Sequence, residues 1–361
     1  MGAHRFRSCT AITKSFATCR NRGHTSMHYQ SLGKSPLQVS RLCLGAMMFG
    51  DQTDAAEAGR IVASARELGV NFIDTADVYK TGASEAIVGS LIKAERHHWV
   101  LASKLGNVMS KAPNEGGYSR AWMLREVEAS LARLQADHID ILYLHRDFHG
   151  LDLEEPLRAI DQLLRDGKIR YWGISNFRGW RISEAVHMAR QIGMPGPVVC
   201  QPYYNLLNRG PEVEVLPACQ QHGIGVVPYS PIARGVLTAK YTPGAAPPEG
   251  TRAARNDARI MQTEFREASL VIAQKLKVHA EQRGLALAHF ATAWVLAHRA
   301  VTAVIAGPRT LAQWLDYAPA LGVTICAEDE LFVDALVAPG HPSTPGYNDP
   351  AYPLPARVAQ A

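Results

Sequence analysis

The chain has 361 residues, 47% of them apolar and 20% charged, proportions that exclude wholesale disorder and allow one large core. Its net charge of +5 arises at the amino-terminal end, where Arg5, Arg7, Lys14, Arg20 and Arg22 fall within the first 26 residues with no acid among them; the rest carries 33 basic against 33 acidic residues. A neutral body gives no case for a nucleic-acid or membrane partner, and no apolar run reaches the roughly 18 residues that a bilayer span needs.

The segment before Met27 is rich in Arg, Ser and Thr, which matches organelle transit peptides in composition, but it lacks the apolar stretch of a secretion signal. From Met27 the string MHYQSLGKSPLQVSRLCLG runs directly into a strand, turn and strand pattern. Residues 1–26 are therefore expected to be an unstructured or transit-like tail on a cytoplasmic protein, organellar only if that tail is a genuine transit peptide. The six cysteines, Cys9, Cys19, Cys43, Cys200, Cys219 and Cys326, show no C-x-x-C or other metal-seating spacing, which fits a reducing compartment.

A hairpin, His28 to Leu32 and Leu37 to Ser40 around Gly33 to Pro36, is expected to plug the amino-terminal end of the barrel. Beyond it, short β-branched or apolar runs alternate with amphipathic helical stretches, the pattern of βα units on a parallel sheet. Eight strands are read: Leu42 to Gly45, Asn71 to Thr75, Val100 to Lys104, Ile139 to His145, Tyr171 to Ser175, Val198 to Gln201, Gly225 to Ser230 and Ala303 to Ala306. Among the helices, Leu157, Ile160, Leu163 and Leu164 recur at spacings of three and four until Gly167 ends the segment.

Between Ala233 and Met261 a long Gly-, Pro- and Arg-rich connection follows the seventh strand, of a length that usually marks a lid or an insertion. The expected architecture is an α/β (β/α)8 TIM barrel over residues 27–336, with an amino-terminal β-hairpin cap and this long loop after strand 7. Residues 337–361 are a proline-rich carboxyl-terminal tail, expected to be extended and draped over the barrel.

Asp74 and Tyr79 in NFIDTADVYKTGASE, Lys104 in WVLASKLG and His145 in IDILYLHRDF each lie where an apolar run ends, and the carboxyl ends of barrel strands open onto one catalytic face. Singly, each has an ordinary structural reading: a helix cap, a loop aromatic, a solvated strand end, a satisfied barrel histidine. Together they make a proton-transfer set. A phenol with a pKa of about 10 donates near neutrality only with help from a neighbouring ammonium, which Lys104 supplies, Asp74 holding it ionised and His145 bonding the oxygen that gains charge.

Asp, Tyr, Lys and His in this order, with the first two inside F-I-D-T-A-x-x-Y, resemble the catalytic tetrad of the aldo-keto reductases, carbonyl reductases built on a (β/α)8 barrel. The resemblance covers roughly residues 28 to 325. It implies a dinucleotide held without a G-x-G-x-x-G fingerprint, which this chain lacks. In GISNF and VVCQPYYN, Ser175, Asn176 and Gln201 end strands and offer groups suited to a carboxamide, and the resemblance assigns them to the nicotinamide amide; Ser175 and Asn176 could equally cap the helix after them. Tyr229 would stack on the nicotinamide ring, and alone it reads as a packed aromatic. The string SPIARGVLTAKY resembles the family's loop over the pyrophosphate, with Ser230 and Ile232 along it and Arg234 and Lys240 as sources of positive charge.

In AVIAGPRTLAQWLDYAP, Gly307 permits close backbone approach, Arg309 stands where a 2′-phosphate could be paired at a helix start, and Gln313 lies one turn on. Asp316 keeps the acid of the family's terminal E-N pair, whereas Tyr317 replaces its Asn. The function implied is an NADP(H)-dependent aldehyde or ketone reductase with no metal and a small-molecule carbonyl substrate, Met47, Met48 and Phe49 giving an apolar rim. The same family includes potassium-channel beta subunits, so a cofactor-binding regulatory subunit is the alternative. A metal-dependent hydrolase is disfavoured, since none of the 14 histidines falls in H-x-H or H-E-x-x-H.

Overall fold

A computed structural model describes residues 27–353. The expectation for the first 26 residues therefore lies outside the described residues, as does the end of the tail beyond Pro353.

The chain begins with a two-stranded antiparallel hairpin, β1 (Tyr29–Ser31) and β2 (Gln38–Ser40). Eight strands come next with their intervening helices: β3 (Leu42–Gly45), α1 (Ala55–Glu67), β4 (Phe72–Asp74), α2 (Ala83–Ile92), β5 (Val100–Leu105), α3 (Arg120–Leu134), β6 (Ile139–Leu144) and α4 (Glu154–Arg165). The second half contains β7 (Ile169–Ser175), α5 (Gly179–Gln191), β8 (Val199–Gln201), α6 (Val215–His222), β9 (Gly225–Val226), α7 (Ala258–Gln262), α8 (Glu267–Gln282), α9 (Leu287–Ala297), β10 (Val304–Ala306), α10 (Leu311–Leu315) and α11 (Ala327–Leu336).

All eight barrel strands are parallel, in the order β10, β3, β4, β5, β6, β7, β8, β9. The seam between the first and last is closed by parallel bridges Val226↔Val301 and Tyr229↔Ile305, so this is a (β/α)8 barrel. Seven strands match the sequence expectation to within two residues at either end. The exception is β9, expected over Gly225 to Ser230 but laddered only over Gly225–Val226. Pro228 has no N–H to give a ladder, and Ser230 turns the chain with φ 58°.

Two apolar layers result from strand alternation. One side chain set points outward under the helices; the other, including Phe72, Val100, Ile141, Val199 and Val227, fills the barrel. The hairpin seals the amino-terminal end of the barrel: Leu32 joins the inner set, and Gly33 lies against the start of β9. A Cβ at Gly33 would sit 2.5 Å from Gly223 O and Gly225 N, and its φ is +61°, so only glycine fits that turn. In α4, Leu157, Ile160 and Leu163 are buried as their spacing implies, with Leu164 at the margin.

After α11 the chain returns across the carboxyl-terminal mouth. His341 O accepts from Arg209 N at 3.1 Å and Ser343 N donates to Leu207 O at 2.9 Å, which starts the return on the loop after β8. Arg259 then grips Asp349 with two bonds of 2.9 and 2.6 Å, and Arg146, Arg178 and His149 bond the carbonyls of Ala351, Tyr352 and Pro353. The segment 341–353 thus forms a strap over the mouth.

Candidate active site

Asp74 ends β4, Tyr79 stands in the turn before α2, Lys104 is the penultimate residue of β5 and His145 comes directly after β6. Adjacent parallel strands in register bring their ends side by side, with Asp74 paired to Ala102 and Lys104 to Tyr143. The Lys104 ammonium is fully enclosed and spends its three protons on Asp74 Oδ1, on Thr75 O at 2.7 Å and on the Tyr79 hydroxyl at 3.2 Å. Gln201 Nε2 donates to the other Asp74 oxygen at 2.9 Å. The His145 ring meets Tyr79 edge to face, centroids 5.9 Å apart.

The electrostatics favour an ammonium and a neutral imidazole. Burial works against the Lys104 charge, but Asp74 and Tyr79 outweigh it and hold its pKa above the ordinary lysine value. Burial pushes the Asp74 carboxyl up, opposed by Lys104 and Gln201. Burial, then Lys104 and Arg146, drive His145 well below the usual histidine range, leaving an uncharged ring. For Tyr79, burial raises the phenol despite the pull of Lys104. Lys104 is thus not the deciding influence that its charge alone implies; desolvation outweighs it, and the phenol keeps its proton tightly.

One cavity of about 380 Å³ opens beside these groups and is lined by fifteen of the sixteen residues singled out in the sequence; the exception, Lys104, lies beneath its floor. Next to the tetrad, Asn176 donates to His145 O at 2.9 Å and to Ser175 Oγ at 3.0 Å, while Tyr229 OH donates to Asn176 Oδ1 at 2.8 Å. Ser175 Oγ in turn donates to Gln201 O at 2.8 Å. Asn176 adopts φ 60°, which an Asn tolerates, and this turn swings its amide back toward the tetrad. Tyr229 is backed by Tyr203 in a stack of 5.6 Å.

Further along, Ser230, Ile232, Lys240, Gly307, Arg309, Gln313 and Asp316 line the cavity. Arg234 lines it too, but its guanidinium is bonded to both oxygens of buried Glu264 at 2.7 and 2.8 Å. Its charge is matched inside the protein. The poorly matched charge lies elsewhere: Arg309 and Arg255 both donate to the single amide oxygen of Gln52, at 3.2 and 2.8 Å. Burial lowers the pKa of Lys240, and Arg309, Arg252 and Arg255 lower it further; burial and Arg255 do the same to Arg309. Asp257 approaches Arg252 only to 4.0 Å. Such a cationic end favours an anion.

Gly307 leaves open space where a Cβ would stand. Asp316 bonds His289 at 2.9 Å, and Tyr317 is buried beside it. Of the apolar rim expected from the sequence, only Met47 lines the cavity; Met48 and Phe49 are core residues, because the chain turns inward immediately after Met47. Arg252 and Arg259 are lining residues that sequence reasoning missed, and exposed Arg255 adds charge beside Arg309 on Gln52 without lining the cavity, although the run TRAARNDAR in the long loop is a visible cluster of charge. Tyr352, which also lines the cavity, carries no sequence signal of its own.

The aldo/keto reductase family model matches residues 41–335. A protein of Arabidopsis thaliana named "Probable voltage-gated potassium channel subunit beta" is 38% identical over 288 residues, 78% of this chain and 87% of the relative. A rice (Oryza sativa subsp. japonica) protein of the same name is 36% identical over 304 residues, 82% and 92% of the two chains. "Uncharacterized oxidoreductase YrpG" of Bacillus subtilis is 36% identical over 334 residues, 89% of this chain and 99% of its own length. With the barrel, the tetrad at its mouth and a family match over most of its length, the chain belongs to the aldo/keto reductase family.

Proposed function

We propose that this family oxidoreductase reduces aldehyde or ketone carbonyls to alcohols with NADPH, in the cytoplasm and without a metal. The observation that carries the reading is the contact of Lys104 with both Asp74 and the Tyr79 hydroxyl beneath an open cavity. The cofactor's fit rests on the cations around Gln52, the open space above Gly307 and the Ser175, Asn176 and Gln201 amide and hydroxyl groups. Ser175, Asn176, Gln201 and Tyr229 would hold the nicotinamide end; Lys240, Arg252, Arg255 and Arg309 would hold phosphate, with Ser230, Ile232, Arg234, Gln313 and Asp316 shaping the channel between and beyond. When bound, the cofactor supplies a hydride.

The chain's own residues do the rest. His145, neutral because it is buried, can donate to a carbonyl oxygen without itself adding charge. Tyr79 keeps its proton until an alkoxide develops and then gives it up, a transfer the Lys104 charge assists as the phenolate forms. Asp74 keeps Lys104 charged and in place. Met47 and Tyr352 wall the substrate end with apolar surface.

The test is loss of NADPH absorbance with a panel of aldehydes, ketones and pyridoxal. Relatives named as channel beta subunits favour a second reading, a cofactor-binding regulatory subunit. Cofactor binding without turnover of any carbonyl would select it.

A further inference from the structure

Behind the turn that carries Tyr79 lies an enclosed group of charges that take no part in the proton transfer. Asp77 is wholly buried. Its N–H donates to Lys104 O at 3.1 Å and its Oδ1 accepts from Val78 N at 2.6 Å, so the residue ties the turn to the strand bearing Lys104. Its Oδ2 is buried with no hydrogen-bond partner among the described residues.

Glu85 from α2 and Glu126 from α3 face it, with one guanidinium, Arg133 of α3, between them. Arg133 donates to Glu85 at 2.7 Å and also to Glu126, and Ser103 of β5 donates to the other Glu85 oxygen. Tyr118, before α3, also feels Asp77, and its hydroxyl is occupied by the backbone of Arg146. The Arg133 stem lies on Gly82, at the end of the same turn, where a Cβ would come within 2.5 Å of Arg133 Cδ.

Arg133 bears on all three carboxyl groups, and Arg125 adds a weaker pull on Glu126. Arg133 is bonded to the two glutamates, which leaves Asp77 without a counter-ion in a place closed to water. An unpaired buried carboxylate is so costly that such a group keeps its proton. We infer that Asp77 is a positioning residue that holds the Tyr79 turn as a neutral carboxylic acid, and that its ionisation in alkaline solution disorders the turn and stops turnover. Burial, then Glu85 and Glu126, push this carboxyl up to about 8, against the Val78 N–H and Arg133.

This rests on the reductase reading, so two measurements separate their failures. The first is the pH profile of kcat for reduction of a neutral aromatic aldehyde at saturating NADPH, with Asp77→Asn as a permanently neutral mimic. The variant should keep wild-type kcat within about threefold at pH 7 and extend activity at least one pH unit further into alkali. Superimposed profiles would overturn the inference. Glu126→Gln removes a negative neighbour and should move the alkaline loss of the wild type to lower pH; an upward or absent shift counts against it.

The second measurement needs no activity. A carboxyl whose pKa is raised on folding stabilises relative to its ionised form below its unfolded pKa, and that contribution is lost as pH rises to its folded value. The melting temperature of Asp77→Asn minus that of wild type should therefore widen between pH 5 and pH 8. A constant difference would sink the neutral-acid assignment even if the enzyme proved to be a reductase. If no carbonyl is reduced by any form while the difference widens, the reductase reading fails and the neutral Asp77 stands.

Discussion

Asp74 and Lys104, thirty residues apart in the chain, meet in an ion pair whose ammonium has no solvent-exposed surface. A pair so enclosed contributes little net stability as a pair, but breaking one side leaves a bare buried charge. Lys104→Ala should cost about 3–5 kcal/mol by urea unfolding, as is usual for such deletions. The double change Asp74→Asn with Lys104→Met should cost clearly less than the sum of the two singles. Additive losses would mean that the two groups do not depend on one another.

Tyr79→Phe should remove the acid and leave the cavity. General acid catalysis is worth roughly 10²–10⁴ in rate, so turnover should fall by that factor while NADPH binds nearly as before. Near wild-type kcat in this variant would refute the assignment of the proton donor.

Arg309→Ala should weaken NADPH by about one to two decades and scarcely change NADH, since a charge-assisted hydrogen bond contributes roughly 1.5–3 kcal/mol. Arg255, on the same Gln52 oxygen, should show the same preference. Dissociation constants for both cofactors decide the point; equal losses would make these arginines supports of the loop.

His145 has its own pH signature. Its folded pKa is depressed, so the stability it contributes is present above the unfolded value of about 6.5 and lost as pH falls below it. Wild type should lose stability relative to His145→Gln between pH 7 and pH 5, by up to about 1.4 kcal/mol per pH unit. Parallel urea midpoints for the two proteins would show that the ring takes up its proton in the fold.

Tyr352→Ala should raise KM for apolar aldehydes severalfold with little change in NADPH affinity, because this ring lines the cavity from outside the barrel. Asp349→Ala, which frees Arg259, should act in the same direction and more weakly. A change confined to NADPH binding would place the strap at the other end of the cavity.

The barrel, and the meeting of Asp74, Tyr79, Lys104 and His145 at one end of it, are legible in the sequence because each depends on local pattern. Asp74, Lys104 and His145 close runs of apolar residues, and strand ends in a parallel barrel converge by geometry alone. What escapes depends on partners distant in sequence. Arg234 has the look of a phosphate ligand until Glu264, thirty residues on, is found bonded to it. Met48 and Phe49 have the composition of a rim, but the turn after Met47 takes them inward. Burial likewise reverses the net direction expected for Tyr79, and no spacing in a sequence reports desolvation.

The strap reaches the cavity from residues beyond the stretch that the family model matches, and it is held by an ion pair, carbonyl bonds, hydroxyl bonds at Ser343, Thr344 and Tyr347, and the stacking of Arg266 on Tyr347 at 3.7 Å. Eight strands fix the tetrad; a handful of half-buried arginines fix Tyr352. Substitutions in the strap can therefore redraw one wall of the cavity at little cost to folding, whereas the proton-transfer groups are locked to the framework. One wall of the cavity and the buried group around Lys104 are thus built into separable parts of the chain, free to diverge at different rates.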